Sequence, residues 1–243
     1  MRFHIITIFP EMFDSYLKES ILGRAIKEKK ISVSFVNPRK FVTGKYKKVW
    51  PDGNISAQVD ERPYAGGPGM VMMAEPIIKA VESVTKNLFK SKRRFSKDTT
   101  RRDSAESKLL IINFIPNAEK FTTEVAKKIS KKYTDVILIC GRYEGIDARV
   151  DKILKTTKYS IGDYILTGGE IPAMILIDSL SRQIEGVLGN FGSREEERVS
   201  SSEIYTRPEV LVYKGKKYKV PKVLLSGNHK DIEAWKVLTK RAK

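Results

Sequence analysis

Three glycine-rich segments carry the residue types most suited to chemistry. They are Gly66-Gly67-Pro68-Gly69, Gly141-Arg142-Tyr143-Glu144-Gly145, and the run Ile161-Gly162-Asp163-Tyr164-Ile165-Leu166 leading into Thr167-Gly168-Gly169-Glu170. Glycine lets backbone approach a ligand closely or adopt a positive φ, so such loops can hydrogen-bond an adenine edge without charged side chains. A single loop of this kind reads as a turn. Two that carry acidic and aromatic side chains, with a third upstream, favour a ligand pocket. Other chemistries lack their signatures. No G-x-G-x-x-G follows a strand; Gly-Lys occurs at Gly44-Lys45 and Gly215-Lys216 but never as GK[ST]; no G-x-S-x-G or H-E-x-x-H is present. His4 and His229 lie far apart and give no zinc-like spacing, and the lone Cys140 allows no internal disulfide.

The elements that must position these loops alternate between strand and helix. Residues 2–9 read as a strand, and 11–30 as a helix whose apolar stripe is Phe13, Leu17, Ile21, Leu22, Ala25 and Ile26. Residues 31–35 form a second strand, 43–70 a loop, 74–88 a helix, and 89–107 a polar linker. A strand over 109–115 ends at Pro116. A helix over 119–132 follows, then a buried strand, 136–140, that runs into Gly141. A helix covers 171–184; 186–202 has no periodicity; the last stretch, 231–242, is helical. This alternation predicts an α/β domain with a mostly parallel sheet, where ligands bind at the carboxyl ends of the strands.

The formal net charge of +17 is unevenly placed. Residues 86–102 carry eight basic side chains against one acid, and 206–243 eleven against three, whereas 103–205 are slightly acidic. Clustered cations suit a polyanion, because binding releases condensed counterions. No apolar run approaches the roughly 20 residues that span a bilayer. The N-terminus reads as a first strand rather than a signal peptide, so a cytoplasmic protein without membrane association is expected.

The glycine segments also belong to longer runs that occur in a fixed order. These are IFPEMF at 8–13, ERPYAGGPGMVM at 61–72, CGRYEGID at 140–147, SIGDYILTGGEIPAM at 160–174, DSLSRQIEGVLGN at 178–190, YTRPEV at 205–210 and LLSGNH at 224–229. From Ile8 to His229 the chain resembles the bacterial tRNA (guanine-N1)-methyltransferase family of the SPOUT class. The resemblance implies an α/β domain over 1–186 with a mostly parallel sheet and a deep C-terminal trefoil knot. It also implies a linker over 187–203, a small basic helical tRNA-binding domain over 204–243, and a homodimer. The basic insertion, 86–107, has no counterpart in the family. S-adenosylmethionine is then expected against Gly141, Tyr143, Glu144 and Gly145, against Ile161, Gly162, Asp163, Tyr164, Ile165 and Leu166, and near Gly168, Gly169, Pro172 and Pro116. The implied product is a methyl group on N1 of guanine 37 of tRNA, beside a guanine at 36, which preserves the reading frame.

By family position Arg182 is the cation that stabilises charge on the guanine O6, and Glu197 occupies the place of the family's general-base aspartate. Glu195 or Glu196 would serve through a one-residue slip. A second departure is Ile115-Pro116-Asn117-Ala118, where the family reads Ser-Pro-Gln-Gly. Magnesium dependence is a further family expectation; Glu144 is the acid that could attract the ion, but no spacing defines a metal site. Two other readings stand beside this one: a SPOUT methyltransferase with another RNA target, and an RNA-binding protein that has lost catalysis.

Overall fold

The structure, a computed structural model, describes residues 1–51, 53, 55–64, 66–95, 108–189 and 203–241, with backbone alone for 89–95 and 240–241. Two compact units result, Met1–Gly189 and Asn190–Lys243.

The first unit is built on a five-stranded sheet. Its strands are β1 (Arg2–Ile6), β2 (Ser32–Val36), β7 (Leu109–Phe114), β8 (Asp135–Ile139) and β9 (Thr157–Tyr159), in the order β2-β1-β8-β7-β9 and parallel throughout. A parallel sheet covered on both faces needs apolar residues in both registers, and β8 supplies them. Val136 and Leu138 join a core with Phe3, Ile5 and Ile112, while Ile137 and Ile139 join a second core with Ile6. All five residues of β8 are buried.

Helices close both faces. On one side lie α2 (Ser20–Lys27), α4 (Thr123–Lys132) and α6 (Glu170–Ser181), which contribute Leu22, Ile129, Leu176, Ile177 and Leu180. On the other lie α3 (Ala74–Phe95) and α5 (Arg149–Leu154), with Ile77, Val81, Val84 and Val150. The predicted α/β class with a mostly parallel sheet is the architecture found.

Four local expectations are corrected. The helix predicted over 11–30 is broken into a 3-10 turn (Pro10–Phe13), a single turn α1 (Asp14–Leu17) and α2, because Ser20 takes a left-handed φ of 51°. The helix predicted to stop at 88 runs to Phe95. Lysine and arginine are good helix formers, and Glu75–Lys79 and Glu82–Lys86 pairs at 2.6 and 3.1 Å support its exposed face. The segment 43–70, expected as loop, holds one small antiparallel pair, β3 (Lys47–Val49) with β4 (Ile55–Ala57), and a strand β5 (Asp60–Glu61) that pairs with β6 (Val71–Met72) just beyond it. The strand predicted over 2–9 ends at Ile6.

The second unit contains a hairpin of β10 (Val210–Tyr213) and β11 (Lys216–Lys219), followed by α7 (Lys222–Leu225) and α8 (His229–Arg241). Lys214 and Gly215 both have positive φ, the geometry of a tight two-residue hairpin turn. Asn228 accepts a hydrogen bond from the Lys230 amide at 3.1 Å and so caps α8.

Candidate cofactor site

Because the sheet strands are parallel, Phe114, Ile139 and Tyr159 end at one edge, and the loops that follow them meet there. Together they line a cavity of about 630 Å³, within the range of small-molecule sites. Ile115 and Pro116 come from the loop after β7. Gly141, Tyr143, Glu144 and Gly145 come from the loop after β8. Ile161, Tyr164, Ile165 and Leu166 follow β9, and Gly168, Gly169 and Pro172 open α6. Of the predicted cofactor-binding residues, Gly162 and Asp163 do not line the cavity. Gly162 is held in a turn by the Ser160 hydroxyl, and Asp163 faces outward to an ion pair with Lys120 at 2.5 Å.

The two glycine loops touch along their backbones. The Gly169 amide donates to the Gly141 carbonyl at 2.8 Å, and Arg142 pairs with Gly168 in an isolated antiparallel bridge. A Cβ on Gly169 would stand 2.6 Å from the Cα of Cys140, so only glycine fits. The third glycine segment also converges here. Glu144 donates its amide to Met70 at 3.0 Å, and its side chain occupies the space a Cβ on Gly69 would need. Met72 donates to Gly145 at 2.9 Å, and Asp147 donates back to Met72 at 3.0 Å.

A buried carboxylate braces this meeting point. Glu170 is 1% exposed, and its Oε1 accepts a 2.8 Å hydrogen bond from the buried Thr7 hydroxyl. Its Oε2 lies 2.9 Å from Arg142 Nε as an ion pair, without hydrogen-bond alignment. The Arg142 guanidinium stacks on Phe9, 4.7 Å from the ring centre. The Cys140 thiol beside them is pushed well above its usual pKa by burial and by the Glu170 charge, with Arg142 opposing, so it is no nucleophile. Tyr143 takes a left-handed φ of 60°, and burial and the nearby Asp60 charge raise its phenol pKa.

Asp151, Lys158 and Asn113 also line the cavity, a group that sequence reasoning missed. Asp151 accepts from Thr156 at 2.6 Å and Asn113 at 2.9 Å, and pairs with Lys158 at 3.1 Å. Burial pushes its pKa upward, yet these three partners outweigh burial and hold it below the ordinary carboxylate range. Glu170 and Thr7 were missed as well. Glu170 carried a signal, an acid directly after Gly168-Gly169; Thr7 carried none. Among the described residues, no group of three His, Cys, Asp or Glu side chains could hold a metal ion, and no helix is long and apolar enough to cross a membrane.

Residues 1–243 match the family described as tRNA (Guanine-1)-methyltransferase TrmD. The chain belongs to the TrmD family. Relatives named tRNA (guanine-N(1)-)-methyltransferase agree. One from Clostridioides difficile (strain 630) is 42% identical over 240 residues, which cover 97% of this chain and 90% of the relative. One from Pseudoalteromonas atlantica is 38% identical over 96% of this chain and 78% of its own length. One from Buchnera aphidicola is 39% identical over 97% and 87%.

Of the two residues expected to act on the substrate of a TrmD-family enzyme, Arg182 does not line the cavity. Arg182 caps the far end of α6, roughly 18 Å along the helix axis from Glu170. Glu197, with Glu195 and Glu196, lies outside the described residues.

Proposed function

We propose that this TrmD-family chain transfers the methyl group of S-adenosylmethionine to N1 of guanine 37 in tRNAs, with a guanine preferred at position 36, and so preserves the reading frame in the cytoplasm. The observation that carries the reading is the convergence of two glycine-rich loops on one cavity at the carboxyl edge of a parallel sheet, with the third packed against Glu144 beside them. The residues present suit the cofactor: backbone is exposed at Gly141, Gly145 and Gly168 for an adenine edge, and apolar side chains come from Ile161, Ile165, Leu166 and Pro172. S-adenosylmethionine, when bound, supplies an electrophilic methyl carbon on a sulfonium.

The protein then has two tasks, alignment and removal of a proton. Glu197 accepts the proton of guanine N1, for which a carboxylate within hydrogen-bond reach suffices. Arg182 stabilises the charge that develops at O6. A single side chain cannot bridge the length of α6, so in this reading Arg182 serves the site of a second subunit. The half-exposed apolar residues Met12, Tyr16, Ile171 and Ile175 support a homodimer. The base lies between one subunit's cofactor site and the other's linker and C-terminal unit. A deep trefoil knot, the domain division at 187–203 and magnesium dependence belong to the same proposal, with Glu144 as the acid that attracts the ion.

The test is methyl transfer from labelled S-adenosylmethionine to tRNAs that carry or lack guanine 36, with the product mapped by nuclease digestion. Label at N1 of guanine 37, dependent on guanine 36, is the expected result; label elsewhere or none overturns the reading. Glu197→Gln should lower turnover at least a hundredfold while cofactor binding, followed by calorimetry, stays at the wild-type level. Near-wild-type turnover would pass the base role to Glu195 or Glu196.

A further inference from the structure

The β3–β4 hairpin is unexplained by the cofactor site. Both of its faces meet solvent: Lys45, Lys47 and Lys48 are exposed, and Val49, Trp50 and Ile55 are 65%, 51% and 61% exposed. Two short strands without a covering layer are marginal in water, and apolar side chains held outward in this way mark a contact surface. Hydrogen bonds nevertheless tie the hairpin's described residues together and to the unit below. The Gly53 amide donates to Trp50 at 2.9 Å, Gln58 donates to Tyr46 at 3.0 Å, and the Tyr46 hydroxyl donates to Glu61 at 3.0 Å.

The root leads directly to the cofactor cavity. Val59, which follows β4, accepts from Met73 at 2.8 Å, and β5 pairs with β6. Strand β6 carries Val71, a lining residue, and Met72, which bonds to Gly145 and Asp147. The hairpin is thus an outward continuation of the cavity's rim.

From this geometry we infer that the β3–β4 hairpin is a tRNA-binding ribbon, on which Trp50 stacks against an unpaired nucleotide and Lys45, Lys47 and Lys48 contact phosphates. The inference rests on the methyltransferase reading above. Charge favours RNA over a protein partner. Residues 43–58 hold three lysines and one acid, whereas protein interfaces are depleted in lysine. Cations interleaved with an exposed aromatic are what single-stranded nucleic acid requires.

The experiment compares full-length wild type, Trp50→Ala and the double variant Lys47→Gln/Lys48→Gln. Cofactor binding is measured by calorimetry, tRNA binding by gel shift over a salt series, and self-association by sedimentation. Trp50→Ala should weaken tRNA binding roughly tenfold. The double variant, which removes two phosphate contacts, should make the slope of log affinity against log salt shallower by about 1.5. Cofactor affinity and thermal midpoint should match wild type in both. Unchanged tRNA affinity and salt slope overturn the inference, as does a change confined to sedimentation, which would make the ribbon a protein interface. Wild-type methyl transfer, measured in the same preparations, separates the two levels. Transfer to tRNA with unaltered variants removes only the hairpin's role, whereas a wild type that neither binds nor methylates tRNA removes the methyltransferase reading too.

Discussion

A methyl group added to Gly169 would lie 2.6 Å from the Cα of Cys140 and 2.9 Å from the amide nitrogen of Gly141, and both neighbours are backbone. Neither can rotate away, so the two loops that line the cavity must separate. Gly169→Ala is therefore expected to weaken S-adenosylmethionine binding at least tenfold and to destabilise the fold by about 1–3 kcal/mol, read by calorimetry and thermal unfolding. Full affinity at the wild-type melting temperature would show that the two backbones need not touch. Gly141, Gly168 and Gly169 are legible in the sequence because their property, the lack of a side chain, is local. Thr7, Asn113, Asp151 and Lys158 are not. Each is a common residue type that reaches the site only through the order in which strands pair. Gly162 and Asp163 show the reverse, since a run that alternates around a turn sends some of its members outward.

Among the elements, β8 has a clamp of its own at the end of the sheet opposite the cavity. Asp135, fully buried, accepts hydrogen bonds from Arg2 Nε at 2.6 Å, Arg2 Nη2 at 2.8 Å and the Thr134 hydroxyl at 2.8 Å, with His4 Nε2 at 3.1 Å. Burial alone would raise its pKa, but these partners outweigh it and hold the carboxyl below its usual value. A folded-state pKa that is depressed contributes stability above the unfolded value, and that contribution is lost as pH falls through the lowered folded value. Asp135→Asn should therefore cost about 1–3 kcal/mol at neutral pH, and urea unfolding should show the gap to wild type narrowing below roughly pH 4. A gap of equal size at both pH values would assign the loss to packing instead. The runs VILIC and LLIINF announce their strands because a sheet buried on both faces demands continuous apolar sequence. The β3–β4 and β10–β11 hairpins escape that logic. Their strands are three or four residues long and largely exposed on both faces, and β3 and β11 are rich in lysine, so no periodicity marks them. The end of α3 escapes it for a related reason, as a basic run whose apolar members are only Phe89 and Phe95 satisfies a helix and a linker equally.

At the scale of the whole molecule, charge is the property that sequence displays most directly and fold explains least. Lys86, Lys90, Lys92, Arg93, Arg94, Lys97, Arg101 and Arg102 crowd into one short stretch, whose first part continues α3. Replacing these eight with glutamine, itself a good helix former, should flatten the salt dependence of tRNA binding while leaving cofactor affinity intact; an unaltered slope would exclude the stretch from the tRNA contact. The strand order has a different consequence, in time rather than in space. Strand β1 finds β2 about thirty residues later, but its other edge waits for β8, and Arg2 and Asp135 are 133 positions apart. At a ribosomal pace of about 5–20 residues per second, that edge stays open for roughly ten seconds. During this interval Phe3 and Ile5 have only the cover that α1 and α2 supply, and the bare strand edge is a template for wrong partners. Yield in the cell should accordingly depend on how fast the middle of the message is read and on which holdases are present, more than on the stability of the finished protein.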